Sequence, residues 1–228
     1  MKAISNLSLC VGIPCSFPFI PFDFFRSFAL MEKPDYTFIA KTNGPIDTLR
    51  NDIVEKALAL NITHLIMMDV DMIYHPKTIT KLLSDKLLIV GALCFRRYPP
   101  FDSIILRIKE IDERTKGYES VDDWEENEIL ECDATGAGCI MYDMSIFRKM
   151  PYPWFRFQKN PENGLVIGED IGFCQDLKAA GYKIYVDTSV PADHLTTLAV
   201  NRATNRLYNA MKNKEAARAA LVGYGDRI

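Results

Sequence analysis

The stretch THLIMMDVDMIYHP, residues 63–76, decides how this chain is read. His64 to Met68 is a mostly apolar run with the length of a buried strand, and it ends abruptly at Asp69-Val70-Asp71. On a strand, residues two apart share a face, so the spacing predicts both carboxylates on one side of a sheet. Two carboxylates at the end of an apolar strand repel each other and are costly to desolvate. A divalent cation, Mg²⁺ or Mn²⁺, removes that cost, because it takes hard oxygen ligands, commonly one or two carboxylates plus substrate phosphates. A bare Asp-x-Asp is more often a solvated acidic turn. Here the strand before it and the helix start after it, Pro76-Lys77-Thr78, favour a ligand site, since open α/β sheets bind ligands at the carboxyl ends of their strands.

The flanking sequence alternates between strand and helix signals. Leu7 to Ile13 reads as a first strand stopped by Pro14, and Tyr36 to Ala40 as a second. Between them, Phe17-Pro-Phe-Ile-Pro-Phe22 is an aromatic, proline-punctuated loop leading into a short helix, Asp23 to Met31. Its rings are expected to pack under the sheet rather than stack on a base or sugar. Asp47 to Leu60 is amphipathic, with Leu49, Ile53, Ala57 and Leu60 on one face and Asp47 or Thr48 as the cap. A helix from Pro76 to Ser84 and a strand from Leu87 to Leu93 follow the central stretch. This rhythm predicts a Rossmann-like, mostly parallel α/β sheet covered by helices on both faces.

After Arg96-Arg97-Tyr98-Pro99-Pro100 the rhythm changes. Ser103 to Lys109 and Ile129 to Cys132 read as strands around an acidic insert, Glu110 to Glu128, expected as a hairpin or surface loop. Thr135-Gly136-Ala137-Gly138 precedes a strand, Cys139 to Tyr142, and a short helix, Met144 to Met150. Gly168-Glu169-Asp170 opens a helix closed by Gly181, and Lys183 to Val186 is the last strand expected before Asp193-His194. Thr197 to Leu221 reads as a basic, Ala-rich helix, so the expected division is a catalytic domain over 1–196 and a helical extension over 197–228. Within that helix Arg202, Arg206, Lys212, Lys214 and Arg218 face one acid, Glu215, which suits a second subunit, an anionic surface, an acidic acceptor or a solvated lid.

At 228 residues, 48% hydrophobic and 25% charged, the chain can bury a sizeable core without covalent staples. A net charge of -3 gives no electrostatic footprint for nucleic acid. The six cysteines include no CxxC and several sit in apolar runs, which predicts buried free thiols in a reducing compartment, the cytoplasm. Lys2 and the apolar run to Ile13 imitate a signal peptide, but Ser5, Asn6 and Ser8 dilute it, and a core strand is expected instead. No stretch reaches transmembrane length.

Taken in order, Pro14 after the first strand, Arg50-Asn51, Asp69-Val70-Asp71, Thr135-Gly136-Ala137-Gly138, Gly168-Glu169-Asp170 and Asp193-His194 resemble the family 2-like glycosyltransferases of the GT-A fold, over about residues 5 to 195. The resemblance implies a nucleotide-sugar donor, a Mn²⁺ or Mg²⁺ ion and transfer to an acceptor hydroxyl on a glycan, a protein or another molecule. It implies that Asp69 contacts ribose or metal, that Asp71 binds the metal and that His194 is a late third ligand. It also implies an inverting transfer with Asp170 as base and Glu169 as acceptor binder, and it sets Pro14 and Cys15 at the nucleotide side. Many members carry an acid after the second strand that reads uracil; here Asn43 stands there and can still hydrogen-bond a base.

Read as residues, Gly136 and Gly138 either allow close backbone approach to a sugar or only make a tight turn. Arg50 and Asn51 either reach base or diphosphate or form an exposed helix pair. Tyr152 and Trp154 suit a sugar-stacking wall or plain packing, and Arg96 and Arg97 suit an acceptor or a diphosphate. The acidic pair Glu169-Asp170 can also serve as first-turn dipole compensation. Two competing functions share the central motif. One is a haloacid dehalogenase-like phosphatase that uses the Asp-x-Asp as nucleophile and acid. The other is a non-catalytic GT-A-like module that binds a sugar or a partner.

Overall fold

In the computed structural model the described residues are 7–110, 116–125, 127–160 and 164–197, together with 202, 205, 206, 209 and 210. The first part of the chain builds β1 (Leu9–Cys15), α1 (Phe22–Leu30), β2 (Tyr36–Thr42), α2 (Ile46–Ala59), β3 (His64–Met68), β4 (Met72–Tyr74), α3 (Thr78–Ser84) and β5 (Ile89–Cys94). The second part adds β6 (Ile105–Glu110), β7 (Lys116–Ser120), β8 (Ile129–Cys132), β9 (Ala134–Thr135), β10 (Cys139–Asp143) and α4 (Ser145–Lys149). It ends in β11 (Gln158–Lys159), β12 (Val166–Ile167), α5 (Glu169–Ala179) and β13 (Ile184–His194).

The central sheet has eight strands in the order β2-β1-β3-β10-β5-β13-β4, with β8 beside the first half of β13. β2, β1, β3, β5 and β13 run one way, while β10, β4 and β8 run against them, so the sheet is mostly parallel in strand direction. The apolar strands explain themselves by alternation. Cys10, Leu65 and Met67 enter the core beneath α2, α4 and α5, while Val11, Ile66 and Met68 enter the one beneath α1 and α3. A second sheet, β7-β6-β9, holds the hairpin made from the acidic insert, whose residues 111–115 lie outside the described ones.

Several expectations need correction. Pro14 does not stop the first strand, which runs to Cys15 and pairs Pro14 with Lys41 of β2. The α2 cap is Pro45 with no side-chain bond, so neither Asp47 nor Thr48 caps the helix. β4 is only three residues long, too short to leave a periodic signal. The rings of the aromatic segment do not pack under the sheet: Phe17, Phe19 and Phe22 are exposed, and in the helix that follows Phe25 is exposed while Phe24 is buried. β13 is far longer than the expected strand at 183–186, since a bulge between Asp187 and Pro191 lets it pass a proline and keep pairing with β5. The expected C-terminal helix falls mostly outside the described residues; 202, 205, 206, 209 and 210 are helical.

The chain divides into two units, Met1–Leu195 and Thr196–Ile228, and every site residue discussed below belongs to the first. Among the described residues no helix is long and apolar enough to cross a membrane. All six cysteines are buried free thiols, and burial pushes Cys10, Cys94 and Cys132 up to about 12.

Candidate active site

The carboxyl ends of β1 and β3, the start of α5, the end of β13 and the segment after β5 surround a cavity of about 320 Å³. Pro14, Arg50, Asp69, Asp71, Arg97, Glu169, Asp170 and His194 line it, together with Ser16, Phe17, Ile46 and Val70. Four carboxylates therefore meet two guanidinium groups and one imidazole.

Arg50 organises the inner wall. Gly12 of β1 lets α2 sit close against the sheet, because a Cβ there would stand 2.6 Å from Ile53 Cγ2. That approach sinks Arg50 to 2% exposure. Its Nη2 donates to both oxygens of Asp69 at 3.1 and 3.0 Å, its Nε to Glu169 Oε1 at 3.1 Å and its Nη1 to the Ala137 carbonyl at 2.9 Å. Burial works against the Arg50 charge, but Asp69 and Glu169 outweigh it and hold the guanidinium above its ordinary pKa. Burial pushes the Asp69 carboxyl up, Arg50 pulls against it and the Asp71 charge adds to the rise. Burial and the Asp170 charge likewise raise Glu169 against the pull of Arg50.

The outer wall belongs to Asp71. β3 ends at Met68 and the chain turns at Val70 and Asp71, so the two carboxylates do not share a strand face as expected. They reach one cavity by a turn and meet different partners. The register of β13 against β4 sets His194 opposite Met72, next to Asp71. His194 Nδ1 lies 2.9 Å from the Phe95 carbonyl, which can only accept, so Nδ1 carries the proton and Nε2 faces Asp71 Oδ2 at 3.4 Å. Arg97 Nη1 donates to the same oxygen at 2.8 Å. Burial would raise the Asp71 carboxyl, but the hydrogen bond and charge of His194 and the charge of Arg97 hold it below its usual value.

Asp170 sits in the first turn of α5, where its Oδ1 accepts from the Ile171 N–H at 2.8 Å. It also lines a second cavity, of about 580 Å³, walled by Tyr98, Tyr118, Leu106, Val166 and Arg96. Arg96 and Arg97, adjacent in sequence, thus face different cavities.

Other expected residues stand elsewhere. Cys15 is buried with its thiol on the Phe17 carbonyl, and Asn43 is exposed at positive φ with its amide on Thr42. Asn51 is a buried bracket, taking the N–H groups of Trp154 and Phe155 at 3.1 Å each and donating to the Phe155 carbonyl at 2.7 Å. It is neither exposed nor at the cavity wall. Trp154 is buried edge-on against Phe147 with its indole N–H on the Met150 carbonyl, so it packs, and exposed Tyr152 leans on it outside the cavity. Gly136 and Gly138 back the site: a Cβ at either would stand 3.7 Å from Asp170 Oδ2 or Asp69 Oδ2. Tyr74, which the sequence did not single out, donates within the loop framework to the Asp69 and Gly138 carbonyls.

The expected three-ligand set is not assembled. Asp69 is turned to Arg50, and among the described residues no cluster of three or more His, Cys, Asp and Glu donors could hold a metal ion. What stands ready is a two-donor clamp, Asp71 and His194, in a cavity with two more carboxylates than guanidinium groups. A carboxylate oxygen and an imidazole nitrogen facing each other at the cavity wall are donors of the kind a divalent ion takes, and two such donors leave positions open for phosphate oxygens.

No sequence-family profile and no curated protein matches the chain. Solved structures do. One is A197 from STIV, 17% identical, with a TM-score of 0.56, covering 84% of this chain and 87% of that chain. Another is GalNAc-T7 with UDP, GalNAc and Mn²⁺, 10% identical, with a TM-score of 0.54, covering 85% of this chain and 45% of that one. The chain has a GT-A-like fold. At such identities the likeness is one of fold, and the GT-A-like chain spans less than half of the GalNAc-T7 chain.

Proposed function

We propose that this GT-A-like protein transfers a sugar from a nucleoside-diphosphate donor to an acceptor hydroxyl with inversion, assisted by a divalent metal. The observation that carries the reading is the position of Asp170 on the wall between two cavities, one of which holds the Asp71–His194 clamp. The clamp side suits the donor diphosphate, and the larger cavity suits the acceptor. The solved GalNAc-T7 structure, which has the same fold type, contains UDP, GalNAc and Mn²⁺.

Asp71 and His194 would hold the ion, Mn²⁺ or Mg²⁺, which supplies Lewis-acid stabilisation of the departing diphosphate. Asp170 accepts the acceptor's proton as the oxygen attacks, and a base on the wall shared with the acceptor cavity meets the geometric demand of in-line displacement. Glu169 is a poorer candidate, because its Oε1 is taken by Arg50 and its side chain is 9% exposed. Arg50 orients Asp69 and Glu169 and offsets one of their two charges. The phosphatase reading is less well served: Asp69, its nucleophile, is clamped through both oxygens by the buried Arg50, which draws charge away from the attacking oxygen.

The test is incubation with a panel of nucleotide sugars and Mn²⁺, following donor hydrolysis and transfer. Asp170→Asn is expected to bind nucleoside diphosphate and metal normally while losing about 10²–10⁴-fold in turnover. Near-normal turnover of that variant, or retained configuration at the anomeric carbon, would overturn the assignment.

A further inference from the structure

We propose that Arg97 is a stand-in for the metal: it neutralises Asp71 until a cation binds, yields that carboxylate to the incoming cation and passes to the donor diphosphate. The proposal rests on the reading of this cavity as a metal–diphosphate site and adds to it an exchange that couples the two ligands.

The geometry carries it. Arg97 Nη1 and His194 Nε2 converge on one atom, Asp71 Oδ2, at 2.8 and 3.4 Å. Asp71 Oδ2 is the carboxylate oxygen that the imidazole faces, so a cation set between the two shares the oxygen Arg97 now holds. Two positive groups on one oxygen repel, so the ion and the guanidinium compete. Arg50, by contrast, has four hydrogen bonds to three residues and is buried, so it cannot leave. The Arg97 side chain is 50% exposed, and among the described residues Asp71 is its one ion-pair partner.

The segment that carries Arg97 is tied at its base rather than by this side chain. The Arg96 N–H donates to the Asp102 carbonyl at 3.0 Å and the Phe101 N–H to the Tyr98 carbonyl at 3.0 Å. Arg97 can therefore let go without unmaking the loop, which holds it at the wall of the cavity. A guanidinium released beside a bound diphosphate finds a better partner than the one it lost, since its planar fork matches phosphate oxygens bidentately. Metal alone displaces Arg97 and brings no anion of its own to receive it. Metal with diphosphate gives it somewhere to go, and by linkage each ligand then tightens the other.

Mn²⁺ binding, followed by paramagnetic resonance of the free ion on the full chain, reads this without turnover. Wild type, Arg97→Ala, Arg97→Lys and Asp71→Ala are titrated with Mn²⁺ alone, then with the better bound of UDP and GDP. Arg97→Ala is expected to bind Mn²⁺ alone about two- to fivefold tighter, the scale of one exposed ion pair. With Mn²⁺ present it should bind the nucleoside diphosphate about tenfold weaker, the scale of one charge-assisted contact. Arg97→Lys should lie between. Weakening of both ligands would make Arg97 an ordinary support of the site, and no change in either would make it a bystander; both results overturn the exchange. If Mn²⁺ binding is absent in wild type or indifferent to Asp71→Ala, the metal reading itself fails, and the exchange with it.

Discussion

The two carboxylates of the Asp-x-Asp motif sit two residues apart and live in opposite circumstances. Asp69 meets Arg50, whose side chain is 3% exposed, while Asp71 meets Arg97, whose side chain is 50% exposed. The first pair is a fixed part of the core: its guanidinium also holds Glu169 and a backbone carbonyl, so no ligand can borrow it. The second faces solvent and a ligand cavity, where ion pairs are weak and exchangeable. One short motif thus supplies a permanent wall and an open hand, and the predictions test how deep that division runs.

Arg50→Met should have the largest effect. Removing one partner of a buried ionic network leaves Asp69 and Glu169 uncompensated, at about 3–5 kcal/mol of folding stability in urea denaturation. Arg50→Lys should rescue little, because an ammonium cannot span both carboxylates with the guanidinium's fork. A loss no larger than that from an exposed ion pair would erase the contrast between the two halves of the motif.

Asn51→Ala extends the comparison to the neighbouring helix position. It strands the buried N–H groups of Trp154 and Phe155, and a loss of about 2 kcal/mol in the same assay is expected. A neutral result would mean that only charge, and not the bracket, fixes this wall.

Asp85 shows what happens to a shielded acid without an Arg50. It caps the C-terminal end of α3, where the helix dipole disfavours an anion, and its Oδ2 is buried with no hydrogen-bond partner among the described residues. Burial first, then the Asp187 charge, raises it from 3.8 to about 6 against the pull of Lys81. Because the folded value lies above the unfolded one, the folded state holds the proton more tightly. The cost is absent below pH 3.8, grows as pH rises and is complete above about pH 6. Asp85→Asn should therefore stabilise the protein by about 1 kcal/mol at pH 7, a figure reduced for partial exposure, and by nothing at pH 3.5. An equal gain at both pH values would show that charge burial is not the cause.

The sequence made the scaffold readable where burial leaves a periodic trace. β3 and β8 fall on the expected residues, since apolar runs of that length have few other uses. Pro14 misled, because it was read as a stop and sits inside a paired strand, and the last strand, expected to end at Val186, runs on past Pro191. The aromatic run after β1 misled in the other direction, with rings of core type left in solvent. At the site, the cavity residues Asp69, Asp71, Glu169, Asp170 and His194 were visible as chemistry-bearing groups in suggestive places. The role of Arg50 was not. A charged residue on an amphipathic helix looks solvated until partners 19 and 119 residues away close over it. Asn51 was hidden for the same reason, its partners lying 103 and 104 residues off.

β13 carries a consequence for when the site comes into being. Beyond its bulge the strand pairs with β4, and its last residue is the imidazole of the clamp. The Arg50–Glu169 contact spans 119 residues and the His194–Phe95 contact spans 99. Contacts so distant form only after shorter loops have closed. A chain emerging from the ribosome can therefore assemble β1, β2, β3 and α2 long before the cavity is complete. The cavity is closed by β13, so partly made chains carry Asp69 and Asp71 without the imidazole that faces them.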